Sequence, residues 1–182
     1  MVQRASQSLM EQGRTARQER RLEDARGFFL KALEACGCDD DHDPRMAAEL
    51  HAELGYVTRV LHDERSAEAH YRQATEMFRA LGDSYRTAHN MRHLADILRE
   101  TGRPAKAAPY YNESIEFYRK SGEYPLQLAN AIRGLALMQG ELGDYSGSLQ
   151  SWVEARALYL MVSVDAGVAE SKKRIDDLMA HR

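Results

Sequence analysis

The chain has 182 residues, 43% of them hydrophobic and 29% charged, with a formal net charge of −3 at pH 7. That balance describes a globular protein with material for one real core, and it gives no reason to expect nucleic acid or an acidic membrane surface as a partner. No apolar run approaches the roughly 18 residues of a membrane span, and the polar opening MVQRASQSLMEQGRTARQERR lacks the apolar core of a signal peptide, so a cytoplasmic location is expected.

In chain order, the apolar spacing predicts a first helix hairpin from about Arg4 to Arg20 and from about Leu22 to Cys36. Its opening helix has few apolar residues, and fraying is expected there. Cys36-Gly37-Cys38-Asp39-Asp40-Asp41-His42-Asp43 follows as an acidic linker, and Asp43-Pro44 fits an N-cap with proline at the first helical position. The second hairpin breaks at His62-Asp63-Glu64 and closes at Leu81-Gly82-Asp83. Gly82 suits a left-handed C′ position there, and Asp83 the next N-cap. In the third hairpin Gly102-Arg103-Pro104 makes the turn and Ser121-Gly122 the end. Pro109 would deprive the Ala105 carbonyl of its donor, so this helix either bends or starts later than Pro104. The fourth turns at Gly143-Asp144-Tyr145. Asp165 to Arg182 reads as one amphipathic helix with Val168, Ile175 and Leu178 on one face.

The hairpins are copies of one another. A small residue recurs as Gly13, Gly55, Ala95 and Ala136, at spacings of 42, 40 and 41. Twelve positions later comes a second small residue, Ala25, Ala67, Ala107 or Ser148. An aromatic follows four further on (Phe29, Tyr71, Tyr111, Trp152), and a third small residue three beyond it (Ala32, Ala74, Ser114, Ala155). Leu54, Leu94 and Leu135 precede the first small residue, with Gln12 the exception. Small residues are needed where antiparallel helices cross at about 8–10 Å, and an aromatic fills the gap between them. Nine helices and no strands are expected.

This pattern resembles the tetratricopeptide repeat family, at a spacing of 40–42 residues rather than about 34. It is most like the long-helix subclass of kinesin light chains and of sensor domains in bacterial regulators. Ala107-Ala108-Pro109-Tyr110-Tyr111 is similar to a kinesin light chain run. The resemblance implies an all-α fold, a right-handed α-solenoid of four antiparallel helix hairpins plus a C-terminal capping helix. It would form a single domain over 1–182, with repeats at about 5–37, 44–82, 84–122 and 125–162 and the capping helix at 165–181. Asp176 at a small-residue position would keep a further helix from docking.

Two clusters invite a chemical reading. Cys36, Cys38 and His42 are zinc-ligand types among aspartates, but they form one short segment without a second ligand pair, and free thiols in a solvated loop are the simpler reading. His89, His93 and Asp96 share one helical face at spacings of four and three, which would suit a metal-dependent enzyme. The zinc-protease glutamate is absent, since Asn90 follows His89, and a polar groove wall is the competing reading. With no phosphate loop and no nucleophile beside a base, the expectation is no enzyme, no cofactor and no resident metal.

What the resemblance implies about function is a protein- or peptide-binding scaffold whose groove is lined by the first helix of each hairpin. The residues so placed are Arg14; Glu49, Glu53, Tyr56 and Arg59; His89, Arg92, His93, Asp96 and Arg99; Asn130, Arg133 and Leu137. Arg92 and Arg133 stand two residues before the leucine in their copies, with Lys173 in register beyond, a column suited to an acidic segment or a terminal carboxylate. Pairing of Arg92 with Asp96, and Asp96 with Arg99, along the helix is the competing reading. Kinesin light chains carry an asparagine just before the leucine; Glu53, His93 and Gly134 stand there instead, so the resemblance does not carry over that backbone clamp. A sensor module for a small peptide is the alternative function, and monomer or weak homodimer the expected state.

Overall fold

The computed structural model describes residues 2–37 and 43–180. Cys38 and His42 of the acidic linker, read above as a solvated loop with free thiols, lie outside them. The described residues form nine helices: α1 (Val2–Gln18), α2 (Leu22–Gly37), α3 (Pro44–Val60), α4 (Glu64–Ala80), α5 (Ser84–Glu100), α6 (Pro104–Ser121), α7 (Pro125–Glu141), α8 (Tyr145–Met161) and α9 (Asp165–Ala180). No strand occurs among them. The chain divides within α5 into two compact units, residues 1–90 and 91–182.

In the first unit α1 packs on α2 and α3 on α4, and α2 packs on α3. The core joins Met10 and Ala16, Ala25, Phe29 and Ala32, and Leu50, Leu54 and Val57. A Cβ added to Gly13 would lie 2.5 Å from the Phe29 ring, and one added to Gly55 would lie 2.9 Å from Tyr71, so each ring fills the space that its own hairpin's glycine leaves. The helix α1 begins at Val2, and Met10, Gly13 and Ala16 give it the buried stripe that Gln12 does not. Asp43 caps α3 by accepting from the Arg45 and Met46 amides, with Pro44 at the first position. Asp63 and Asp83 cap α4 and α5 through the Ser66 and Arg86 amides, each at 3.1 Å.

In the second unit α7 packs on α6 and α8, and α9 on α8. Ala95, Ala107, Tyr111, Ser114, Ala136, Ser148, Trp152 and Ala155 are all buried, so the recurring positions form the packing surface in this unit as well. Ser148 keeps the small-residue role while its hydroxyl donates to the Ala136 carbonyl at 2.8 Å. The helix α6 begins at Pro104 and runs through Pro109, so the later start is not taken. Gly122 (φ 69°) and Gly143 (φ 80°) take the left-handed conformation that ends α6 and α7. Gly167 of α9 faces the Tyr159 ring, where a Cβ would lie 2.5 Å away.

Candidate functional site

In the first unit the groove candidates are tied to one another. Arg14 of α1 donates to Glu53 at 3.0 Å and to Glu49 at 3.1 Å, both on α3. Arg17 also reaches Glu53, and Arg86 reaches Glu49, each at 3.3 Å. Tyr56 is 41% exposed and lies under the Arg17 guanidinium, 5.2 Å from its ring centroid; Arg59 is half-buried on the same helix.

The second unit ties its candidates more deeply. Asp96 is buried and accepts from the Tyr111 hydroxyl at 2.7 Å and from Arg92 Nη1 at 2.8 Å. Burial, and then the Asp96 charge, pushes the Tyr111 phenol above its ordinary range, so Tyr111 stays the donor. A guanidinium has no acceptor, so Arg92 Nη2 donates to His93 Nε2 at 2.6 Å and that ring nitrogen carries no proton. His89 belongs to the first unit, where it stacks on Tyr85 with ring centroids 6.1 Å apart. The three residues of the expected metal face are thus engaged in other contacts. Among the described residues no group of three or more His, Cys, Asp or Glu is placed to hold a metal.

Arg133 makes a two-pronged pair with Glu170 of α9, at 2.6 and 2.8 Å, which raises its pKa. Asn130 accepts from the Tyr159 hydroxyl at 2.7 Å. Arg92 is the more withdrawn of the two column arginines, its side chain 14% exposed against 38% for Arg133. The cause is the pairing with Asp96, which draws the guanidinium down onto the helix.

Beside these pairs the second unit opens a cleft of about 880 Å³ near the C-terminal ends of α5, α7 and α9, floored by α8. Leu137, Trp152 and Leu178 give it apolar walls, and Arg99, Glu141, Arg174 and Asp177 ring it with charge. Arg99 donates to Glu141 at 2.7 Å. Of the groove residues read from sequence, Arg99 and Leu137 line this cleft. Glu141, Arg174, Asp177 and Leu178 were not in that reading. Their signal was present, because Arg174 and Leu178 lie 41 residues after Arg133 and Leu137, the spacing of the preceding copy. A spacing of 40 instead selects Lys173, which pairs with Asp177 at 2.7 Å and is 76% exposed.

Paired helices recurring every 40–42 residues around small–aromatic–small packing define an all-α helical repeat protein. Residues 45–120 match the tetratricopeptide repeat family model. Among solved structures the chain is similar to aspartyl phosphate phosphatase F from Bacillus subtilis, at 12% identity and a TM-score of 0.82 over 94% of this chain and 44% of that one. It is also similar to BtubC from P. vanneervenii, at 16% identity and a TM-score of 0.67 over 99% of this chain and 82% of that one. A third likeness is to the Rap conjugation gene regulator of plasmid pLS20 in complex with the Phr* peptide, at 15% identity and a TM-score of 0.68 over 82% of this chain and 41% of that one. At such identities the likeness is one of fold. The chain spans less than half the length of the first and third of these proteins. No curated protein matches it in sequence.

Proposed function

We propose that the chain is a binding module that holds a segment of a partner protein or a peptide in the cleft of its second unit. The observation that carries this reading is the cleft's composition. Leu137, Trp152 and Leu178 offer apolar contact, while charged side chains at the rim can fix orientation. The fold likeness to a regulator seen with a peptide supports it. Arg92 and Arg133 serve here as supports, because Asp96 and Glu170 already engage them. The group suited to an acidic side chain or a terminal carboxylate on the ligand is Arg174, exposed at the cleft rim.

The test begins with pull-down from native extract and identification of the captured partner. Arg174→Glu and Leu178→Glu should each weaken its binding by roughly tenfold or more while leaving the helical circular dichroism unchanged, since Arg174 is exposed and Leu178 only half-buried. Reversal at Arg174 should also flatten the salt dependence of the affinity. Full binding by both variants would move the interaction surface off this cleft.

A further inference from the structure

In the first unit, His51 of α3 and His70 of α4 face each other across their hairpin. Their Nδ1 atoms are 3.0 Å apart, with ring centroids at 5.3 Å and planes inclined by 42°. One Nδ1 donates and the other accepts, so at most one of the two carries a proton in this contact. A zinc ion holds imidazole nitrogens at about 2.0–2.1 Å, which at the tetrahedral angle separates two of them by about 3.3 Å. A parting of roughly 0.3 Å would therefore convert the hydrogen-bonded pair into two ligands on one ion.

The surroundings favour the uncharged imidazoles that metal binding requires. Burial, and then the charge of its partner ring, lowers His51 to about 4, and burial lowers His70. Asp63, the N-cap of α4, is the carboxylate that acts on His70, and Arg26 of α2 acts on Asp63 in turn. The other acids of α3 and α4 near this level are engaged elsewhere: Glu49 and Glu53 by Arg14, Arg17 and Arg86, and Glu68 by Arg72. Among the described residues no third ligand completes a cluster, so water would fill the remaining coordination positions.

We propose that His51 and His70 form a cross-helix clamp that takes a borderline divalent transition metal ion, Zn²⁺, Ni²⁺ or Cu²⁺, through their two Nδ1 atoms. The ion would fasten α3 to α4 midway along the hairpin. Hard cations such as Mg²⁺, which prefer oxygen ligands, should not compete.

The full chain, freed of metal and titrated at pH 7.5, should bind about one equivalent of Zn²⁺ and melt several degrees higher in its presence, with Cu²⁺ the tightest of the three and Mg²⁺ without effect. His51→Gln and His70→Gln should each lose at least about tenfold in affinity, and the double variant should be no worse than either single one. His62→Gln should behave as the parent. In the parent itself, the ring resonances of His51 and His70 should move together on adding zinc, a readout that does not depend on any variant folding. Absence of binding up to millimolar zinc, unchanged affinity in His51→Gln, or resonance shifts confined to other histidines would each overturn the proposal.

Discussion

Tyr111 reaches Asp96 because the α7 residue against its ring is Gly134; an added Cβ would collide with the ring and its hydroxyl. The same glycine stands where kinesin light chains place a clamping asparagine, so its role here is to admit a ring. Gly134→Ala should push Tyr111 off Asp96 and cost about 1–3 kcal/mol as overpacking, even though alanine favours the helix. Urea denaturation would measure it, and a variant as stable as the parent would show that the ring has room to spare. The loss should be much smaller at Gly140, where a Cβ meets its nearest neighbour only at 3.4 Å.

The helix α6 contains Pro109 at its sixth position, past the first turn where proline costs nothing. The missing amide leaves the Ala105 carbonyl, on an exposed residue, to bond with water. Pro109→Ala should therefore stabilise the protein by about 1–2 kcal/mol, the gain in the helix being partly offset by a freer unfolded chain. A lower melting temperature in that variant would mean that the proline ring itself supports the packing of α6. Most of the helices were legible in the sequence because caps and crossings act locally: Asp43-Pro44, Gly82-Asp83 and Gly122 punctuate the chain where they should. The path of α6 was not, since proline's penalty is set by how well neighbouring groups can solvate one carbonyl. The site was read less well than the fold. Arginines on first helices were recognisable, and the local pairing of Arg92 with Asp96 could be read, but whether Arg14 and Arg99 face a ligand or an acid depends on Glu49 and Glu141, 35 and 42 positions away. A slip of one residue in the last copy turns a side chain by about 100° around its helix, which is the difference between Lys173 and Arg174.

At the scale of the molecule, acid should act first on the unit that holds the paired histidines. Burial, and then His70, brings His51 down from 6.5 to about 4, so the folded form resists a proton that the unfolded chain accepts. Stability should be full above about pH 6.5, fall as pH drops toward 4, and level off in this respect below it. His51→Gln should flatten that fall in a thermal melting series; a parent curve with no slope across the window would show that the pair takes up protons equally in the folded and unfolded chain. The aromatic seats differ between the units in a way that bears on synthesis. Phe29 and Tyr71 fit against Gly13 and Gly55, which precede them in the chain, whereas Tyr111 and Tyr159 fit against Gly134 and Gly167, which follow. A nascent chain leaving the ribosome therefore has the seats for its first two rings already made. Tyr111 must wait for the 23 residues up to Gly134, about 1–5 s at ordinary elongation rates. During that interval a large ring and a phenolic donor to a buried carboxylate stand open to solvent, and the second half of the chain is where a cotranslational chaperone would find its substrate.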